Sequence, residues 1–335
     1  KKYPDNRYID STIIIGRKQG PCLPLFNLYY LAQNKQQINH FNPRETMHYQ
    51  GTIFRPPSEA NSILLQVTTG CSHNKCTFCE MYKGSRFSIK SDDIIGADIE
   101  FAATHCKNQN KLFLCDGDAL IVPQPRLVRI LTEIREKLPW VRRVSVYANT
   151  KSISRKSLTE LEELKGLGLQ LAYMGLESGD DITLADINKG ADSGRMIEMG
   201  RKIRSAGIKL SITVLLGIAG RKRSAIHGSE TGRVLSAIDP EYVGALSLML
   251  TPNTVLYRDW QEGNWHLPDA KEMLEELKVM LVNTELSNGL FHANHASNYL
   301  PLKARLPRDK ERTIALIDQA LGGAIQLKPE YMRGL

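Results

Sequence analysis

The densest chemistry in this sequence is three cysteines within nine positions, Cys71, Cys76 and Cys79, in the segment Gly70-Cys71-Ser72-His73-Asn74-Lys75-Cys76-Thr77-Phe78-Cys79. Three thiolates on one loop can ligate three irons of a four-iron cluster. With no fourth cysteine nearby, one iron keeps an open position for an exogenous ligand. A structural zinc site competes for the same residues, but closed zinc needs four ligands, and His73 between Cys71 and Cys76 is poorly placed to complete one tetrahedron. A redox dithiol of Cys76 and Cys79 would leave Cys71 without a role. The remaining cysteines, Cys22, Cys106 and Cys115, are scattered singly. Disulfide frameworks belong mainly to small secreted domains, whereas three cysteines within nine residues of a large chain point to metal or redox chemistry in a reducing, cytoplasmic setting.

The chain must also supply a frame for such a loop. At 335 residues, 42% hydrophobic and 24% charged, it can bury the core of one large α/β domain or two modest ones. No apolar run reaches the roughly 18 residues of a spanning helix. The net charge of +8 is spread along the sequence with no basic block interleaved with aromatics. A nucleic-acid partner therefore stays open without being favoured.

From residue 63 onward, short apolar runs alternate with amphipathic segments. Strands are expected at Ile63–Thr69, Lys111–Cys115, Arg143–Ala148, Leu169–Met174, Lys209–Leu216 and Tyr242–Met249, each rich in Val, Ile, Leu or Tyr and closed by turn-forming residues. Helical periodicity fills the gaps at Asp93–His105, Arg126–Lys137, Lys156–Gly166, Arg195–Ala206 and Ser229–Ile238. Such βα units demand parallel strands with right-handed crossovers. Six of them imply a partial (β/α)6 barrel of the TIM type, with chemistry at the C-terminal strand ends. The expected organisation is an N-terminal arm over 1–62 packed on the barrel, a core over 63–263, and a helical C-terminal extension over 264–335, on the substrate side. Helices near Lys271–Glu285 and Asp309–Leu321 are expected in that extension.

Three cysteines after the first strand of a βα repeat, with Phe78 just before the third, resemble the radical S-adenosylmethionine (radical SAM) superfamily. The usual spacing there is three residues and then two, whereas this chain has four and then two. The later strand ends carry the same resemblance. Cys115-Asp116-Gly117-Asp118 is similar to the Gly-Gly-Glu-like element that holds the methionine ammonium, and Gly175-Leu176-Glu177-Ser178-Gly179 to the segment whose acid binds the ribose hydroxyls. Leu216-Gly217-Ile218-Ala219-Gly220 resembles the adenine-side glycine element, and Thr251-Pro252-Asn253-Thr254 the Pro-Gly-Thr-Pro loop with Asn for Gly. Arg204 matches an arginine that pairs with the methionine carboxylate in the branch of oxygen-independent coproporphyrinogen oxidases. Mg-protoporphyrin ester cyclases and tRNA-modifying enzymes share that branch.

The resemblance implies one oxygen-sensitive [4Fe-4S] cluster on Cys71, Cys76 and Cys79. It also implies S-adenosyl-L-methionine positioned by Phe78, Asp116, Gly117, Asp118, Glu177, Ser178, Arg204 and Gly217. An electron donor such as flavodoxin or ferredoxin would reduce the cluster, and the resulting 5′-deoxyadenosyl radical would abstract hydrogen from a tetrapyrrole-like or other small molecule. An RNA-modifying enzyme, or an iron–sulfur or heme carrier with the same fold, is the alternative. On the substrate side, His295 and Asn298 in the polar segment 292–301, and Tyr147 at the end of the third strand, are the residues singled out. No cysteine follows Cys115, so no auxiliary cluster is expected.

Overall fold

The computed structural model describes residues 46–334. Its centre is one eight-stranded sheet: β1 (Ile63–Gln66), β2 (Lys111–Cys115), β3 (Arg143–Ala148), β4 (Leu169–Glu177), β5 (Lys209–Leu216), β6 (Tyr242–Ser247), β7 (Leu290–Ala293) and β8 (Leu302–Arg305). The strands lie in chain order, β1 to β7 parallel and β8 antiparallel to β7, and β1 does not pair with β8. The six expected strands thus form a partial barrel that stays open.

Helices α1 (Asp92–His105), α2 (Gln124–Lys137), α3 (Thr150–Ser154), α4 (Leu158–Gly166), α5 (Asp181–Asp186), α6 (Ser193–Ser205) and α7 (Gly220–Ile238) supply the crossovers. α2 shows why they form. Pro125 sits in its first turn, and Leu127, Ile130, Leu131 and Ile134 recur at 3.6-residue spacing and are all buried. Each such side chain contributes about 1.5–3 kcal/mol on burial. The next turn cannot continue because Pro139 follows the C-cap Leu138. In α4 and α9 (Ala270–Val282) the entry is fixed by reciprocal capping boxes, Ser157 with Glu160 and Asp269 with Glu272.

Alternation along the strands separates two cores. Leu65, Val146, Ile212, Val214 and Phe291 face the helices in the larger one. Leu64, Phe113, Cys115, Leu171 and Tyr173 face the concave interior, where Tyr49, Ile53, Tyr147 and Tyr242 join them. Of the N-terminal arm, residues 1–45 lie outside the described residues; Tyr49 and Ile53 pack on the concave face, Tyr49 donating its hydroxyl proton to the Leu64 carbonyl at 2.8 Å. The tail adds more than the expected helices α9 and α10 (Lys310–Leu321). β7 and β8 extend the sheet, four residues each and too short for an alternation to register in the sequence. No described helix is long and apolar enough to cross a membrane.

Candidate functional site

The cysteine loop leaves β1 and crosses the C-terminal edge of the sheet. All three thiols are free and half-buried. Close packing of the loop is visible at Gly117, where a Cβ would meet the Tyr82 ring at 2.8 Å and Cys71 Cβ at 3.0 Å. Glycine is what lets the β2 strand end pass beneath Cys71. Burial pushes the Cys76 thiol up to about 11, partly opposed by Lys189, and burial likewise raises Cys79, against a backbone hydrogen bond from Met81. Thiols so placed stay protonated until a cationic partner displaces the proton. That behaviour fits iron ligands better than nucleophiles.

Two acids stand beside the loop. Asp116 accepts from Gln66 Nε2 at 2.8 Å, and Asp118 accepts from the Ser72 hydroxyl of the cysteine loop. Asn149, at the end of β3, donates to the same Ser72 at 3.2 Å. Burial raises both acids to about 6, hydrogen bonds from Gln66 and Ser72 working against it. Asp118 is wholly buried, and its Oδ1 has no hydrogen-bond partner. A buried acceptor without a donor is costly, so this one is built to receive a donor from elsewhere.

At the end of β4 the register against β5 slips by one residue between Gly175 and Glu177. This bulge re-aims the strand, and Glu177 takes φ +64°, a left-handed conformation that non-glycine residues adopt at a cost. Its carboxylate pairs with Lys189 at 2.8 Å across Gly175, where a Cβ would come within 2.2 Å of Glu177 Oε1. Lys189 belongs to the loop after α5, which is tied to the cysteine loop from two sides. Thr77 N–H donates to the Ile187 carbonyl at 3.0 Å, and His73 Nε2 lies 2.7 Å from the Asn188 carbonyl. His73 is thereby committed to the loop and not to a fourth metal position. Burial works against the Lys189 ammonium, but Glu177 and then Cys76 outweigh it and hold its proton more tightly than usual.

The other anticipated residues divide. Phe78 packs with Leu184, Ile187, Ile218, Leu248 and Leu256, pinning the cysteine loop onto the loops after β4, β5 and β6. α8 (Val255–Gln261) joins them there, Leu256 N–H donating to the Thr77 carbonyl at 3.0 Å. Gly217 follows β5 with φ +84°, and Met273 closes over it from α9. Ser178 is fully buried and directed at His227, 2.8 Å from its Nδ1, not at the open end of the sheet.

Arg204 needs correction. It lies in the last turn of α6 and pairs with Asp239 and Glu241, both at 3.3 Å, just before β6 begins. That is the N-terminal end of the sheet, opposite the cysteines. Lys189 is the cation that the fold brings to them, and no local pattern marked it. Asn298 is also corrected: it is buried, its amide donating to the Ala245 carbonyl at 2.8 Å and accepting from Ser247 Oγ at 2.9 Å, so it anchors the tail to β6 and faces no substrate. His295 is half-buried in that segment, held by Ser297 at 2.9 Å and kept below its ordinary pKa by burial and Lys328. Tyr147, the next-to-last residue of β3, lies in the concave aromatic cluster, its ring centroid 5.0 Å from that of Phe113, as wall rather than rim.

Residues 65–227 match the radical SAM superfamily. Among curated proteins, the chain is similar to the heme chaperone HemW of Bacillus subtilis strain 168, 22% identical over 235 residues covering 68% of this chain and 61% of that protein. It is also similar to the tRNA-2-methylthio-N(6)-dimethylallyladenosine synthase of Dehalococcoides mccartyi strain CBDB1, 22% identical over 209 residues, 61% of this chain and 49% of that one. It therefore spans about half to three fifths of the length of these relatives. Among solved structures it resembles the coproporphyrinogen III oxidase HemN of Escherichia coli, with a TM-score of 0.49 at 14% identity over 66% of this chain and 51% of that one. From Leu65 to His227, the stretch that includes the cysteine loop and five of the strand ends around it, this chain carries a radical SAM domain.

Proposed function

We propose that this protein is a radical SAM enzyme that holds one [4Fe-4S] cluster on Cys71, Cys76 and Cys79 and cleaves S-adenosylmethionine reductively. The observation that carries the reading is the cluster of unmet demands at one strand-end edge. Three free thiols share one loop, Asp118 Oδ1 is buried with no donor, and Glu177 and Lys189 are buried as a pair over a glycine. The donor set suits both groups. Soft thiolates take iron, a buried carboxylate takes an ammonium, and the Glu177–Lys189 pair can separate to take vicinal hydroxyls and a carboxylate.

When bound, the cluster and its cosubstrate supply an electron and a carbon radical able to remove hydrogen from a substrate. The residues of this chain do the placing. Asp118 Oδ1 would accept from the methionine ammonium, while Ser72, itself held by Asn149, keeps its other oxygen engaged and so fixes its direction. Glu177 would hold the ribose hydroxyls, and Lys189, its partner in the ligand-free protein, would supply the charge for the methionine carboxylate. Phe78, Ile218, Leu248 and Leu256 exclude water from the side of α8. The concave face, with Tyr147, Tyr173 and Tyr242, is the wall against which the substrate would rest. An external one-electron donor such as flavodoxin or ferredoxin completes the set, in a cytoplasmic protein.

The test is anaerobic reconstitution with iron and sulfide, followed by dithionite and S-adenosylmethionine. Slow release of 5′-deoxyadenosine without any added substrate is expected. A fully loaded cluster that releases none would overturn the enzyme reading. The similarity to a heme chaperone favours, in that event, a carrier with the same fold.

A further inference from the structure

The ends of β4 and β5 are joined by a line of buried polar groups that the mechanism above does not use. After β4, Ser178 Oγ accepts the Asp180 N–H at 3.0 Å and lies 2.8 Å from His227 Nδ1, while Gly179 N–H donates to Thr231 Oγ1 at 2.9 Å. After β5, Gly217 N–H donates to Glu276 Oε1 at 2.6 Å, and Glu276 Oε2 accepts from Ser224 Oγ at 2.5 Å. His227 bridges the halves, its Nε2 3.4 Å from Glu276 Oε1. Ser178 Oγ accepts from the Asp180 N–H and can donate its own hydrogen to Nδ1. His227 Nε2, buried and without a hydrogen-bond partner, stands within ion-pair range of the carboxylate that also receives Gly217.

Ser178, His227, Thr231 and Glu276 are each no more than 1% exposed. A serine, a histidine and a glutamate in series would suit a nucleophile, but an oxygen sealed from solvent cannot meet a substrate. Burying a carboxylate and an imidazole is costly when apolar packing would serve as well. The glycines show how closely the parts are set: a Cβ at Gly179 would meet the Glu230 carbonyl at 2.3 Å, and one at Gly228 the Glu276 carbonyl at 2.9 Å. α7 supplies His227 and α9 supplies Glu276, so the line ends in the tail beyond the stretch that matches the superfamily.

We infer that Ser178, His227 and Glu276 are positioning residues that fix the separation between the β4 and β5 ends, and hence the grip of Glu177 and Gly217 on S-adenosylmethionine. This rests on the function proposed above. The C-terminal tail, through Glu276, is then part of the cosubstrate site without touching it.

Two measurements on the full chain test the coupling. In cluster-free protein, Glu276→Ala should speed amide hydrogen exchange in both segments, 177–181 and 215–219, and His227→Ala should do the same. In reconstituted protein, each should raise the KM for S-adenosylmethionine in 5′-deoxyadenosine release at least fivefold with kcat within twofold. Glu276→Gln, which keeps one acceptor, should fall between, and the double variant should be no worse than the poorer single one. Met280→Ala, a buried change on the same helix, should lower the melting temperature without either effect. Faster exchange confined to α9, or an unchanged KM beside the Met280→Ala control, would overturn the inference. If wild-type protein releases no 5′-deoxyadenosine, the proposed function fails while the exchange data still decide the coupling.

Discussion

The two ends of the sheet treat charge in opposite ways. At the N-terminal end, Arg204 is paired with Asp239 and Glu241, and Glu59, fully buried, is met by Arg143 at 2.6 Å and by the Tyr173 hydroxyl at 2.5 Å. At the C-terminal end, Asp118 keeps an oxygen without a donor, both neighbouring acids are pushed up to about 6, and three thiols stand unpaired around Lys189. At one end each of these charged side chains sits in an ion pair, and at the other stand groups whose partners must arrive. Charge that is satisfied internally stabilises the fold, whereas charge left unsatisfied is retained for what it binds.

The largest break in that contrast should come from Cys76→Ala. Removing one of three ligands leaves a cluster without its anchor, so the reconstituted protein should lose the broad visible absorption and all 5′-deoxyadenosine release. Cys115→Ala, inside the concave core, should keep both. Equal loss of absorption in the two variants would remove the ligand assignment, and iron and sulfide analysis beside the spectra checks it.

Much of this arrangement was legible in the sequence. All six expected strands begin where the apolar runs begin, because β-branched runs closed by Gly or Asp leave the backbone little alternative. The acids at 116 and 118 and at 177 were marked by falling directly after those runs. Lys189 was not, since only the folding of α5 and the bond between His73 and Asn188 carry it to the cysteines. Arg204 misled because its immediate neighbours cannot say which end of the barrel they occupy. The topology could have said so: in a βα unit the last turn of a helix returns to the start of the next strand, away from the chemistry. α7 begins at Gly220 and not near Ser229, for a further reason. Gly228 and Gly232 blur its periodicity, and both are small because α9 crosses there, within 2.9 Å and 2.7 Å of where a Cβ would stand.

The second prediction sets one cation at each end against the other. Lys189→Gln removes the charge paired with Glu177, so cosubstrate binding should weaken by about 30-fold or more, the loss expected for removing one partner of a largely buried charge contact. Arg204→Gln should leave the KM for S-adenosylmethionine within twofold. Its ion pairs are about one-third exposed, and their loss should cost no more than about 1 kcal/mol in the melting curve. A weakened KM in the Arg204 variant together with an unchanged one in the Lys189 variant would reverse the assignment made from the structure.

The smallest effect, and the one that reads the open end most directly, is the pH dependence of the ligand-free protein. Asp118 is raised from an ordinary 3.8 to about 6 by burial. Its folded form therefore binds the proton more tightly than the unfolded chain does, and its contribution to stability falls as the pH rises between those two values. A shift of that size corresponds to up to about 3 kcal/mol of destabilisation, fully developed above pH 6 and absent below the unfolded pKa. Asp118→Asn should accordingly raise the melting temperature at pH 7.5 and leave it nearly unchanged at pH 4. The same variant should lose binding of S-adenosylmethionine, because the amide can no longer offer a charged acceptor to the ammonium. Saturating S-adenosylmethionine should close the pH 7.5 gap by stabilising only the wild type. A variant no more stable than wild type at pH 7.5 would mean that Asp118 is already satisfied in the free protein, and the contrast between the two ends of the sheet would then lose its sharpest member.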